Sequence, residues 1–229
     1  MIGVIGGTGL QRLGLLEDVP EGIVETPYGD VIFFLNDKTC FIPRHGIKHD
    51  TPAHRVNHKA NLKALEAMGV REVVGVSSVG ALKEEIKPHS IIIPDDYMDF
   101  TTNETFFDNR VKHITPGFDG ELRDKLISAA RKIKLDVLTS GVYVQTRGPR
   151  LETKAEVRAL RSFGDVVGMT VGSEATLARE LDLKYACVCS VDNYAHGVVE
   201  KPLDFEKVMQ EADKNRDKIE LLIREVILG

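Results

Sequence analysis

Short runs of apolar, β-branched residues alternate with longer amphipathic stretches from one end of the chain to the other, and this alternation restricts the fold more than any other feature. Strands of that kind need helices to cover their faces, so the pattern predicts an α/β fold, a central mixed β-sheet surrounded by helices. The spacing predicts strands over 2–5, 31–35, 40–43, 72–77, 90–94, 136–145, 166–169 and 185–191. It predicts helices over 55–68, 120–134, 153–163, 173–181 and 204–228, the first closed by Gly69 as a helix C-terminus should be. No repeat or linker interrupts the pattern. With 229 residues, 42% hydrophobic and 28% charged, the expectation is a single domain over 1–229 with a substantial core.

The opening Met1-Ile2-Gly3-Val4-Ile5-Gly6 has no basic leader and only a short apolar run. No later stretch approaches the roughly 20 apolar residues that span a bilayer. A cytoplasmic protein with no membrane partner is expected. Cys40, Cys187 and Cys189 are too few for a disulfide framework and read as core thiols. A net charge of −5 offers no broad basic face to nucleic acid, so any bound anion needs a local site.

Residues with chemical capability fall just after strands, at 6–9, 44–49, 77–80, 168–170 and 192–196. Ligands of α/β sheets bind outside the carboxyl ends of strands, so this clustering nominates one shared site. Gly6-Gly7-Thr8-Gly9 lets backbone N–H groups approach an anion while Thr8 adds a hydroxyl, although a plain tight turn would use the same residues. A dinucleotide fingerprint fails there, because Arg12 stands where a third glycine would let helix and strand pack closely. Arg44-His45-Gly46 leads into a locally basic loop. Arg44 is placed to grip phosphate oxygens through two N–H groups with His45 beside it, or else to form a salt bridge next to a solvated histidine. His45, His49, His54 and His58 fall four, five and four residues apart through a proline-containing loop, without the partners of a zinc site, and no metal is expected.

Taken together, Gly6-Gly7-Thr8-Gly9, Pro43-Arg44-His45-Gly46 and Ser77-Ser78-Val79-Gly80 resemble the purine nucleoside and methylthioadenosine phosphorylase family. So do Gly148-Pro149-Arg150-Leu151-Glu152-Thr153 and Val167-Gly168-Met169-Thr170 with Glu174-Ala175. Five blocks in the right order cover nearly the whole chain, and the first half is closer to the methylthio-nucleoside branch. The resemblance implies an α/β enzyme, trimeric or a dimer of trimers, acting on a purine nucleoside with inorganic phosphate as co-substrate and no cofactor.

Carried over residue by residue, Thr8, Arg44, His45, Ser77, Ser78 and Thr170 are similar to the family's phosphate ligands. Ser78 departs from the family's alanine, though its backbone N–H can still serve. Met169 is similar to the methionine beneath the sugar. Leu151 replaces the aromatic cover of the base, and Ala195 stands where the adenine-specific enzymes place a second aspartate. His113 is similar to a residue that reaches the 5′ group from a neighbouring subunit, and His196, Leu203 and Phe205 fall where the family forms the 5′ pocket.

Glu152 and Asn193 are the family's 6-oxopurine pair, where the 6-aminopurine enzymes carry a small residue and an aspartate. A carboxylate accepts only, so Glu152 suits the N1–H of hypoxanthine or the N1–H and N2–H of guanine, whereas N1 of adenine is itself an acceptor. Asn193 can donate to O6 or N7. Outside that context Glu152 reads as a helix first-turn acid and Asn193 as a turn residue. The expected activity is phosphorolysis of S-methyl-5′-thioinosine, inosine or guanosine. Methylthioadenosine phosphorolysis is the alternative, with a non-catalytic nucleoside-binding protein as the rival from another class.

Overall fold

The computed structural model describes residues 1–7, 10, 14–16, 18–101, 103–200 and 215–229. Among these, ten strands join one mixed sheet. They are β1 (Ile2–Gly6), β2 (Gly22–Thr26), β3 (Gly29–Leu35), β4 (Thr39–Pro43), β5 (Glu72–Ala81), β6 (Ile91–Ile92), β7 (Asp96–Asp99), β8 (Val142–Gln145), β9 (Val166–Gly168) and β10 (Lys184–Tyr194). The helices are α1 (His58–Ala67), α2 (Gly120–Lys132), α3 (Lys154–Leu160), α4 (Val171–Glu180) and α5 (Arg216–Leu228).

The α/β class and the mixed sheet are as the sequence pattern predicts. Two strands, β2 and β7, are additions to it. They lie at the two ends of the order β2-β3-β4-β1-β5-β9-β8-β7. An edge strand pairs on one side only and is often short or charged, so Gly-Ile-Val-Glu-Thr and Asp-Tyr-Met-Asp lack the continuous apolar run of a central strand. Some expected boundaries also move. The 136–145 segment contributes only Val142–Gln145 as a strand, with an isolated bridge from Leu138 to Ile92. The first helix begins at His58, after a 3-10 turn at Ala53–Arg55, with Asn57 as its cap. Of the helix expected over 204–228, the described part is Arg216–Leu228, and 204–214 lie outside the described residues.

β5 organises the site. Its first half pairs in parallel with β1, from Ile2 opposite Glu72 to Ile5 opposite Gly75. Further on, antiparallel β9 pairs with Gly80 and Ala81. Parallel β10 follows β5 from Glu72 to Ala81, with a register shift between Val191 and Asn193. Asp192 is the extra residue of that bulge, which is why β10 continues three residues past the expected Val191.

Alternate strand residues feed opposite faces. Ile5, Val73 and Val79 pack with Leu62, Leu65 and Leu177 of α1 and α4, whereas Val4, Val74 and Val76 pack with Leu122, Leu126, Ile219 and Leu222 of α2 and α5. Burying each such side chain contributes about 1.5–3 kcal/mol. Helix starts are fixed locally: Asp119 accepts from Leu122 N, and Thr153 with Glu156 forms a capping box. The three cysteines are buried and free, as expected for core thiols, and burial pushes the Cys40 thiol up to about 12. Among the described residues no helix is long and apolar enough to cross a membrane.

Candidate active site

A cleft of about 490 Å³ opens at the ends of β4, β5, β9 and β10. Arg44 and His45 follow β4, Ser77 and Ser78 belong to β5, Met169 and Thr170 follow β9, and Asn193 and Ala195 come from the end of β10. Leu151 and Glu152, ahead of α3, close another wall. Residues far apart in sequence therefore meet because β4 and β10 run in the same direction as β5, while antiparallel β9 brings its carboxyl end back toward the middle of β5. Thr8, Leu203 and Phe205 lie outside the described residues.

At one end of the cleft the polar groups are already organised by their own partners. Arg44 is 3% exposed. Its Nε donates to Glu174 Oε1 at 2.5 Å, Nη2 to Glu174 Oε2 at 2.8 Å, and Nη1 to the Val76 carbonyl at 2.6 Å. The two-point grip expected for phosphate is thus held by a carboxylate, and the second N–H of Nη1 is the donor left over. Gly7 is required beside it, since a Cβ there would fall 2.5 Å from Nη1 and 2.5 Å from the Val76 carbonyl oxygen. Burial alone would raise the Glu174 carboxyl, but the Arg44 charge and hydrogen bonds outweigh it and hold the group at about 2. Burial likewise works against the Arg44 charge, and Glu174 more than compensates.

His45 Nδ1 lies 2.9 Å from the Thr51 carbonyl oxygen. A carbonyl only accepts, so Nδ1 carries the hydrogen and the neutral ring keeps Nε2 as an acceptor. Burial, then the neighbouring Arg44 charge, lower the His45 imidazole to about 4. The His49 ring stands 4.9 Å from it, on a backbone with φ of 55°. The N-terminus of α4 also faces this region, but its first N–H groups are satisfied from within. Tyr143 Oη accepts from Thr170 N and Val171 N, and Gln145 Oε1 accepts from Gly172 N and Ser173 N. Thr170 makes no side-chain capping bond. The start of α4 therefore has its first N–H groups engaged by Tyr143 and Gln145 rather than turned to the cleft.

Ser78 Oγ donates to Asp192 Oδ2, and Ser190 Oγ donates to Asp192 Oδ1. The Ser78 hydroxyl is thus turned toward the bulge of β10, which leaves its backbone N–H as the group expected to serve an anion. Ser190 in turn accepts from the fully buried Asn215 at the start of α5, 3.0 Å away. Ser77 is buried in the cleft wall.

At the other end Glu152 is 8% exposed, and Thr146 Oγ1 donates to its Oε1 at 2.6 Å. Asn193 Nδ2 donates to the Tyr194 carbonyl at 2.7 Å, which fixes the amide plane and leaves its second N–H for another acceptor. Met169 also lines the cleft. Gly148, with φ of 64°, passes so close that a Cβ would fall 2.5 Å from the Met169 sulfur. Leu151 is 37% exposed at the rim and Ala195 is buried in the wall, so the cover on this side is aliphatic.

His113 is exposed and does not line the cleft of its own chain. Thr146 and Glu174 were not expected in site roles, and Asp192 only as part of the 192–196 cluster. Glu174 carried a readable signal: a lone acid among the small and apolar residues of Val-Gly-Ser-Glu-Ala-Thr-Leu-Ala demands a buried cation. Among the described residues, no group of three or more His, Cys, Asp or Glu is placed to hold a metal ion.

A mixed α/β sheet that gathers arginine, histidine, methionine, carboxylate and amide side chains into one cleft has the form of a small-molecule enzyme. The chain belongs to the phosphorylase superfamily, whose family model matches residues 1–228. It is 48% identical over 232 residues to a probable 6-oxopurine nucleoside phosphorylase of Archaeoglobus fulgidus, covering 99% of this chain and 96% of that protein. It is 39% identical to a probable S-methyl-5′-thioinosine phosphorylase of Methanocaldococcus jannaschii, covering 99% and 92%. Among solved structures it is similar to the methylthioadenosine phosphorylase of Schistosoma mansoni in complex with adenine, with a TM-score of 0.89, 25% identity, and coverage of 99% and 90%.

Proposed function

We propose that this chain uses inorganic phosphate to cleave the glycosidic bond of a 6-oxopurine nucleoside (S-methyl-5′-thioinosine, inosine or guanosine), releasing the purine and a ribose or methylthioribose 1-phosphate. The observation that carries this reading is the pairing of Glu152, an acceptor, with Asn193, a donor, on one end of a cleft whose other end holds His45 and Thr170. A 6-oxopurine offers N1–H to the first and O6 or N7 to the second, whereas adenine presents an acceptor N1 to the first and keeps only N7 for the second. The relatives named for 6-oxopurine nucleosides and S-methyl-5′-thioinosine support it.

In this reading a phosphate oxygen forms the new bond to C1′ as the bond to N9 breaks, and the electron pair of that bond passes to the purine. Positive charge grows on the sugar, so phosphate serves as nucleophile and counter-charge together. The second N–H of Asn193 stabilises negative charge on the departing base, while Glu152 holds N1–H. No protein nucleophile, metal or organic cofactor takes part.

The similarity of the fold to methylthioadenosine phosphorylase, together with a relative of that name in Pyrococcus furiosus at 39% identity, favours methylthioadenosine as the second reading. A phosphate-dependent panel of inosine, guanosine, adenosine, methylthioinosine and methylthioadenosine separates the two. Faster cleavage of the adenine nucleosides overturns the 6-oxopurine reading, and base release without phosphate overturns phosphorolysis.

The same reading includes a cytoplasmic homo-oligomer, a trimer or a dimer of trimers, in which the exposed His113 completes a neighbour's 5′ pocket. Light scattering tests the assembly, and a fully active monomer overturns it.

A further inference from the structure

Threonine at the N-cap of a helix ordinarily turns its hydroxyl back to accept from the N–H of the second or third helical residue. Thr153 does this for α3, with ψ of 159° and its side chain accepting from Glu156 N. Thr170 holds the same position at α4, yet its ψ is −32° and its side chain makes no capping bond. It lines the cleft instead.

Gln145, the last residue of β8, has taken over the cap. It is 2% exposed and does not line the cleft. Its Oε1 accepts from Gly172 N at 2.6 Å and from Ser173 N at 3.3 Å, the two donors that an N-cap threonine would use. Its Nε2 donates to Ser173 Oγ at 2.7 Å and to Asp99 Oδ2 at 3.1 Å, and since a carboxylate only accepts, that side fixes which way the amide points. The fit is close, for a Cβ at Gly172 would fall 3.0 Å from Gln145 Oε1 and 3.1 Å from Asp99 Oδ2. Each backbone N–H carries one hydrogen, so the donors engaged by Gln145 are withdrawn from Thr170. Burying a primary amide is costly unless its hydrogen bonds are made, and a plain helix start would need only the threonine already there.

We propose that Gln145 is a positioning residue for the anion: by capping α4 in place of Thr170, it releases the Thr170 hydroxyl to donate to phosphate in the cleft. This rests on the reading of the cleft as a phosphate site. Gln145 touches no substrate and acts through Thr170. Tyr143 Oη completes the arrangement by accepting from Thr170 N and Val171 N, at 3.2 and 3.4 Å.

The experiment is a double-mutant cycle on Gln145→Met and Thr170→Val, read by calorimetric binding of inorganic phosphate and by thermal melting without phosphate. Gln145→Met keeps the volume and loses the acceptor, so Thr170 turns back to cap α4 and phosphate affinity falls about tenfold, as for one hydrogen bond to a charged group. Thr170→Val falls by the same factor. The double variant loses no further affinity, but it melts about 2–4 °C below the sum of the two single shifts, because nothing then caps the helix. Gln145→Glu, protonated against Asp99, keeps both the acceptor and the donor and retains the wild-type affinity. A purely structural Gln145 would multiply the two affinity losses and add the two melting shifts, and that result overturns the inference while leaving phosphorolysis standing. So does loss of affinity in a folded Gln145→Glu, or failure of Gln145→Met to fold, since Thr170 is then no substitute cap. Coupled losses of phosphate affinity without cleavage of any nucleoside uphold it while the proposed reaction fails. Wild type that binds no phosphate overturns both.

Discussion

The Arg44 guanidinium closes a two-point bridge on Glu174, with bonds of 2.5 and 2.8 Å, and both side chains are almost wholly removed from water. Tyr185 Oη adds a third hydrogen bond to Glu174 Oε2 at 2.6 Å, and His58 Nδ1 stands 3.6 Å from Oε1. The bridge links the end of β4 to the first turns of α4, so it sets the spacing between His45 and Thr170 in the cleft.

Removing one member of such a pair leaves an uncompensated buried charge. Arg44→Ala is therefore expected to destabilise the protein by about 3–5 kcal/mol, besides raising the phosphate KM. The double replacement Arg44→Met with Glu174→Leu removes both charges at similar volume and should recover more than half of the lost stability, but none of the phosphate affinity. Denaturant melts and phosphate kinetics on the singles and the double separate the two effects. Equal stability of Arg44→Ala and wild type would show that the bridge carries no weight in the fold.

His45 supplies a pH dependence with a definite sign. Its folded value of about 4 lies below the ordinary 6.5, because burial and then Arg44 oppose the imidazolium. The unfolded chain takes up a proton in a range where the native ring refuses it. The contribution is complete above pH 6.5 and is lost as pH falls toward about 4, by on the order of 3 kcal/mol. Glu174 acts lower, between its ordinary 4.5 and about 2, and the burial-lowered His49 adds to the upper window. Thermal melts between pH 7 and 4 should lose roughly 5–10 °C through His45, and His45→Gln should flatten that part of the curve. An unchanged slope in the variant would assign the effect elsewhere.

Much of this arrangement is legible in the sequence because it follows from periodicity and strand ends. The central strands carry continuous apolar runs, and Arg44, Ser77, Met169 and Asn193 each fall at or just beyond one. The edge strands β2 and β7 were not legible, since a strand with one neighbour needs no such run. The partners of the site residues were not legible either. Nothing within Pro43-Arg44-His45-Gly46 says that Glu174 occupies the guanidinium, because that contact spans 130 positions and depends on how α4 docks. The bulge at Asp192 is equally silent, being a matter of register between β5 and β10.

That bulge is testable. Asp192→Ala leaves the Ser78 and Ser190 hydroxyls without their shared acceptor, at a cost of about 1–3 kcal/mol. Ser78 lines the cleft and is proposed to serve phosphate, so the phosphate KM should rise by about tenfold while the nucleoside KM changes less. A rise confined to the nucleoside KM would place Asp192 in the service of Asn193 alone.

Base choice is carried by hydrogen-bond polarity rather than by size, which makes the Asn193 and Glu152 replacements informative together. Asn193→Asp puts a carboxylate oxygen where Nδ2 now donates to the Tyr194 carbonyl, so it opposes that carbonyl on one side and O6 of hypoxanthine on the other. Loss of a donor at a developing charge typically lowers kcat on the order of a hundred- to a thousandfold, and inosine turnover should fall by that amount. Adenine nucleosides are not rescued by this change alone, because Glu152 still presents an acceptor to N1, itself an acceptor. Glu152→Ser relieves that conflict and leaves the Thr146 hydroxyl free to rotate toward Gly168. The double variant should therefore shift preference toward methylthioadenosine by more than the product of the two single shifts, a coupling that kcat/KM ratios across the four proteins measure directly. Independent, multiplicative effects would mean that Glu152 and Asn193 do not read the same base edge.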